Sequence, residues 1–170
     1  GAEVAQINEK GLKDVLEVRK ALDTLCAELA CERITDSEKN DLHAACGAFE
    51  RAAISGNITD IAARDVALHD IIVKSTGNER LIQLVNNLSE QMYRYRFEYI
   101  KDESQHDRLV REHKDIYDAI MAGDKEKAAK AGGGVTEAAS PGAPREQQGR
   151  CGGDERAGHR QGEVLDPPVD

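Results

Sequence analysis

The chain has 170 residues and a formal net charge of −9, with two Phe, four Tyr and no Trp. This length suffices for one domain whose core must come from Leu, Ile, Val and Ala. The negative charge makes this chain a poor candidate for binding nucleic acid by itself, because an acidic chain gains nothing from the phosphate backbone. No apolar run approaches the roughly 18 residues of a membrane span, and the N-terminus does not resemble a signal peptide. We therefore expect a cytoplasmic protein without a membrane partner.

Residues 11–131 show helical periodicity that no proline interrupts, which predicts an all-α antiparallel bundle of about six helices. The first helix is predicted over about 11–34, with Arg19 on its apolar face. The others are predicted over about 37–54, to about Ser75 from a cap at Asn57 or Thr59, over about 79–101, over about 105–121 with a cap at Ser104, and from about 124 to Gly132. The glycines at 132–134 are expected to truncate this final helix.

The composition changes near residue 131. All four prolines and nine of the fifteen glycines lie after this residue, whereas no lysine does. The segment 132–170 has no apolar periodicity, so it cannot bury enough surface to offset the entropy of ordering it. We expect this tail to be disordered, residues 1–10 to be a linker remnant and residues 11–131 to be the domain. A frameshift in a GC-rich gene is our hypothesis for the abrupt change.

Asp65 and His69 lie four residues apart in the third predicted helix, so their side chains share one face. The neighbouring Leu68 and the apolar residues around His113 in the fifth helix indicate that both faces point inward. If these two helices are adjacent, Asp65, His69 and His113 converge. Two imidazoles and one carboxylate suit a divalent ion such as zinc, nickel or manganese, with open positions for water or a ligand.

The spacing alone leaves simpler interpretations open. An Asp–His pair at this spacing is usually a solvated pair on a helix surface. His113 alone would more often be a partly buried histidine than a metal ligand. His43 and His106 have more polar sequence neighbours, and we expect both to lie outside any site.

Two ordered motifs resemble a known family. The first is D-x-x-x-H followed by S-x-G-N and a leucine, and the second is E-H-x-x-I-x-x-A-I-x-x-G-D; their residues are Asp65, His69, Ser75, Gly77, Asn78, Leu81, Glu112, His113, Ile116, Ala119, Ile120, Gly123 and Asp124. With the opening helix EVRKALDTLCAELACERIT, they resemble the effector-binding C-terminal domain of the FadR subfamily of GntR transcription regulators. The resemblance covers roughly residues 11–131.

This resemblance implies a cavity that often holds a divalent metal bound by one Asp and three His. By motif, the ligands in this chain are Asp65, His69 and His113. The position of the last histidine falls near Val135, and no histidine stands there. We therefore expect a metal site weakened by the loss of its fourth ligand.

The resemblance also implies that Arg19 reaches the cavity and pairs with the carboxylate of a small organic acid. A guanidinium suits this role because it can hold a carboxylate through two hydrogen bonds. The alternative for Arg19 is a surface salt bridge with Glu17 or Asp23.

The function implied is that of a ligand-sensing and dimerisation domain in a bacterial transcription regulator. A small carboxylate effector would favour one arrangement of a homodimer over another and would undergo no reaction. DNA contact would require an N-terminal winged helix-turn-helix domain, which we expect this chain to lack.

Two other functions stay open. A helical metal-dependent enzyme could use the same two-His-one-carboxylate site, although the sequence shows no convincing general base or nucleophile motif beside it. A helical interaction module without a small ligand is the other alternative.

Overall fold

The structure, a computed structural model, describes the backbone of residues 9–138 and the side chains of residues 10–134. This part forms α1 (Glu9–Arg33), α2 (Asp36–Ser55), α3 (Ile58–Ser75), α4 (Glu79–Ile100), a 3₁₀ turn (Glu103–Gln105), α5 (His106–Ala122) and α6 (Lys125–Ala138). It contains no strand, so the predicted all-α bundle of about six helices is confirmed. The predicted disordered tail lies mostly outside the described residues, and the predicted domain limits, 11–131, stay a prediction. No described helix is long and apolar enough to cross a bilayer.

Side-chain caps fix the starts of three helices. Thr35 and Glu38 form a capping box at α2, in which the Thr35 hydroxyl accepts from the Glu38 N–H and the Glu38 carboxylate accepts from the Thr35 N–H. Asn57 caps α3 and Asn78 caps α4, each by accepting from the N–H three residues further on. Caps of this kind stabilise a helix by about 1 kcal/mol each, so the boundaries follow from short polar residues at these positions.

The start of α5 differs from the sequence prediction. Gln105 precedes α5, and its side chain forms no capping hydrogen bond. Ser104 instead donates its N–H and its hydroxyl to Asp102 Oδ1. Ser104 therefore belongs to the 3₁₀ turn, and its predicted role as the cap of α5 is wrong.

The packing of α2 brings two distant helices together. α2 packs against both α3 and α5, α4 packs against α1 and α3, and α6 packs against α1 and α5. The largest buried apolar side chains are Leu42, Phe49, Ile61, Leu68, Ile100, Leu109 and Ile120. α2 and α1 each contact both α3 and α5, so the inner faces of α3 and α5 line the same part of the core.

α6 continues to Ala138, past Gly132, where the sequence predicts its end. A Cβ added to Gly132 would lie 2.8 Å from the carbonyl oxygen of Asp23 and 3.0 Å from Ala27 Cβ, both on α1. A Cβ on Gly133 would also be within 3 Å of an α1 side chain. The predicted helix end is therefore wrong, because these glycines allow close contact between α6 and α1 instead of ending α6.

We predict opposite effects of alanine at two neighbouring glycines of α6. Gly132→Ala should lower the free energy of unfolding by about 1–2 kcal/mol, because the clash with α1 outweighs the gain in helix propensity. Gly134→Ala should raise it by about 0.5–1 kcal/mol, because a Cβ there meets nothing within 4 Å. Urea unfolding followed by circular dichroism measures both changes. Equal stabilisation by the two substitutions would contradict the close approach of α6 to α1.

Candidate metal centre

Asp65, His69 and His113 come together where the inner faces of α3 and α5 meet. One potential ligand atom from each residue lies within 4.8 Å of the others. His113 Nε2 is 3.0 Å from Asp65 Oδ1, and His69 Nε2 is 3.8 Å from the same oxygen. Asp65 and His113 are buried, while His69 is partly buried. We call these three residues the Asp–His cluster; their role as metal ligands stays a prediction.

The orientation of His113 leaves one of its nitrogens without a hydrogen bond. Nδ1 lies 2.6 Å from the carbonyl oxygen of Leu109, and Phe49 stacks on the ring with centroids 4.0 Å apart. Because a carbonyl can only accept, Nδ1 carries the proton. Nε2 is buried and has no hydrogen-bond partner among the described residues, although it faces Asp65. Where Nε2 carries no proton, it and the facing Asp65 oxygen are both electron-pair donors, and a cation between them would satisfy both.

The protonation of His69 also suits metal binding. Burial lowers the pKa of His69 to about 3, and the nearby negative charge of Asp65 offsets this effect only in part. The ring is therefore neutral near pH 7. A neutral imidazole is the form of histidine that binds divalent metals.

Arg96 on α4 is a fourth member of the site, and the sequence analysis missed it. Its Nη2 donates to Asp65 Oδ1 at 2.6 Å and its Nε donates to Asp65 Oδ2 at 3.1 Å. Burial acts to raise the pKa of Asp65, but the neighbouring groups, with the Arg96 guanidinium first among them, together hold that pKa well below its usual range. One signal was available: Arg96 follows the buried Met92 by four residues, so it lies on the inward face of α4.

A cavity of about 510 Å³ opens beside the Asp–His cluster. Its wall is formed by α1, α3 and α4, with the side chains of Arg19, Asp23, Asp65, Val66, His69, Asp70, Val73, Val85, Asn86, Ser89, Glu90, Met92, Tyr93 and Arg96. This volume lies in the usual range for small-molecule sites. His113 is not part of the wall, so a ligand in the cavity would reach the cluster from the side of Asp65 and His69.

Arg19 lines this cavity and also forms an ion pair. Its Nε lies 2.7 Å from Asp23 Oδ1, and its Nη1 donates to Ser89 Oγ at 2.6 Å. The salt bridge with Asp23 considered from the sequence is therefore present, on the cavity wall instead of the outer surface. The predicted contact of Arg19 with an effector stays a prediction.

The two histidines expected outside the site do lie outside the Asp–His cluster. His43 Nδ1 is 2.7 Å from the hydroxyl of Tyr117. His106 is buried, in contrast to its polar sequence neighbours, and its Nε2 donates to the carbonyl of Ile100. Val135, near the missing fourth ligand position, belongs to α6, but its side chain is outside the described part.

The described part of the chain is thus an all-helical bundle with a cavity beside buried histidine and carboxylate groups. The FCD domain profile matches residues 14–133, and the chain belongs to this family, the C-terminal domain of GntR/FadR-type regulators. The expectation of a regulator domain instead of an enzyme is confirmed by this match.

Two proteins illustrate the relationship. The HTH-type transcriptional regulator LutR of Bacillus subtilis (strain 168) is 28% identical over an alignment of 123 residues, which covers 69% of this chain and 55% of LutR. The chain thus spans about half the length of this relative. The structure of E. coli McbR/YncC matches with a TM-score of 0.72 over 81% of this chain and 72% of that chain. At 14% identity, this second match shows the fold alone.

We predict that Arg96 and Asp65 are energetically coupled in metal-free protein. Arg96→Gln should lower the free energy of unfolding by about 3–5 kcal/mol, because it leaves a buried carboxylate without its charge partner. Adding Asp65→Asn should recover part of this loss, which a double-mutant cycle of urea unfolding in a chelator would measure. The matched control is Arg64→Gln, whose partner Asp60 is also on α3 but exposed. That change should cost at most about 1 kcal/mol. Equal losses for the two arginines would contradict the coupling.

Proposed function

We propose that this chain is the ligand-sensing and dimerisation domain of a GntR/FadR-type transcription regulator. It binds a divalent metal at the Asp–His cluster and a small organic acid in the adjacent cavity. DNA contact is made by a winged helix-turn-helix domain outside these 170 residues. The observation that carries the proposal is the buried Nε2 of His113, which faces Asp65 Oδ1 at 3.0 Å without a hydrogen bond.

The donor set supports a metal of the zinc, nickel or manganese kind. Two imidazole nitrogens and one carboxylate are ligands that such ions accept, and three protein ligands leave positions for an exogenous group. The Leu109 carbonyl holds the His113 ring in the tautomer that presents Nε2. A support of this kind is typical of histidines that bind metals.

The cavity supports a small carboxylate as the effector. Arg19 and Arg96 both contribute guanidinium groups to its wall, and Val66, Val73 and Val85 supply apolar surface. When bound, the metal would supply a positive charge that attracts a carboxylate oxygen of the effector. Arg19 would hold the remaining oxygen, and its contacts with Asp23 and Ser89 keep its guanidinium at the cavity wall.

The regulatory effect follows from differential binding. The cavity wall joins α1, α3 and α4, so a ligand that contacts all three helices stabilises one arrangement of them. In a homodimer, the effector shifts the balance of two arrangements only by its difference in affinity for them. The chain's net charge of −9 is consistent with DNA contact through another domain.

Metal content is the direct test of the metal site. We expect nearly one equivalent of zinc, nickel or manganese after loading and desalting wild-type protein, measured by elemental analysis. His69→Ala and His113→Ala should each lose most of it, because each removes one of three ligands. His43→Ala is the matched control, since His43 lies outside the cluster and pairs with Tyr117. Wild type without metal after loading, or the same content in all four proteins, would overturn the metal part of the proposal.

A further inference from the structure

Arg96 and a metal ion would need the same oxygen atom. Asp65 Oδ1 is the atom that faces His113 Nε2 and His69 Nε2, at 3.0 Å and 3.8 Å. Arg96 Nη2 lies 2.6 Å from this same Oδ1, while Arg96 Nε contacts Oδ2. The guanidinium thus engages both oxygens of the one carboxylate in the Asp–His cluster.

We propose that Arg96 is a built-in competitor of the metal for Asp65, and that it couples metal binding to effector binding. A cation shared by the cluster displaces Arg96 from Oδ1, and the displaced guanidinium takes a carboxylate of the effector in the cavity. This inference rests on the proposed function, because it needs the metal site to exist.

Charge balance supports the competition. Asp65 carries one negative charge, which can neutralise either the guanidinium or part of the charge of a divalent ion. Both the Asp65 and Arg96 side chains are largely shielded from water, with 5% and 15% exposure. Little solvent is therefore present to screen the repulsion between a divalent ion and an adjacent guanidinium. A bound metal would therefore weaken the pair of hydrogen bonds from Arg96 to Asp65, and those hydrogen bonds would in turn weaken metal binding.

The position of Arg96 supports the coupling. Arg96 is part of the cavity wall, together with Ser89 and Met92 of the same helix. Its charged end can leave Asp65 without a shift of α4, because the long side chain has several rotatable bonds. The carboxylate of a ligand in the cavity presents two oxygens to Arg96, as the carboxylate of Asp65 does. By linkage, a ligand that draws Arg96 off Asp65 strengthens metal binding, and the metal strengthens binding of that ligand equally.

Zinc titrations in a competing chelator test the competition. Arg96→Gln should raise the zinc affinity by about 5- to 150-fold, the usual range of coupling between two sites. Arg64→Gln removes the same charge from an exposed position next to Asp65 and should leave the zinc affinity unchanged. An unchanged or weaker affinity in Arg96→Gln would overturn the proposal, since Arg96 would then support Asp65 as a metal ligand.

A second variant covers the risk that Arg96→Gln does not fold. Arg96→Lys keeps a charge beside Asp65, but a single ammonium lacks the planar fork that engages both oxygens. It should also raise the zinc affinity, by a smaller factor than Arg96→Gln. A weaker affinity in Arg96→Lys than in wild type would count against competition.

Acetate, as a small carboxylate probe, tests the coupling in wild-type protein. Acetate at constant ionic strength should strengthen zinc binding more in wild type than in Arg96→Gln, because only wild type has a guanidinium to release. Equal strengthening in both, or none in wild type, would overturn the coupling.

The same titrations distinguish a failure of this inference from a failure of the proposed function. No zinc binding in wild type or in any Arg96 variant means that the metal site itself is wrong. Zinc binding in wild type that the Arg96 substitutions do not strengthen overturns only the role of Arg96 as a competitor.

Discussion

A buried carboxylate is unfavourable unless positive or donating groups surround it, and Asp65 sets this requirement for the whole bundle. Asp65 is 3% exposed, in the middle of α3. α4 supplies Arg96 to it, and α5 supplies His113. Three helices must therefore meet at one point in a fixed register. The site and the fold are two aspects of the same packing, because displacing α4 would leave this charge uncompensated.

The same arrangement divides the site into a rigid part and an adjustable part. His113 is fixed by the Leu109 carbonyl on one side and by stacking on Phe49 on the other. The Arg96 guanidinium is held by two hydrogen bonds to Asp65, and it lies 5.8 Å from the centre of the Tyr99 ring. Under the proposed function, a preorganised set of donor atoms beside one exchangeable counter-ion would let the metal and the effector affect each other's binding. The match to the FCD family places this arrangement in a regulator domain.

Much of the fold could be predicted because its determinants are local. Apolar spacing predicted six helices, and Asn57, one of the two candidate caps for the third helix, caps it. The Asp65 and His69 pair is also local, since four residues place both side chains on one face. Bringing His113 to them depends on the packing of α2 against both α3 and α5, and only the ordered motifs indicated this convergence in advance.

The errors and omissions arose where distant segments touch. Arg96 pairs with a residue 31 positions away, so its spacing from Met92 indicates an inward position but not its partner. Gly132 has the sequence signature of a helix end, but the backbone of α1 lies against it, and only glycine leaves room for that contact. Serine is a common helix cap, but the Ser104 hydroxyl donates a hydrogen bond to Asp102 instead of capping α5. In each case a tertiary contact, or a competing neighbour, overrode a valid local preference.

The most direct test of a metal site at Asp65 is anomalous X-ray diffraction from zinc-loaded crystals. We predict one strong peak at the Asp–His cluster, at about 2.0–2.2 Å from Asp65 Oδ1, His69 Nε2 and His113 Nε2. Fully zinc-loaded protein without a peak there, or with zinc only at surface carboxylates, would contradict a metal site at Asp65.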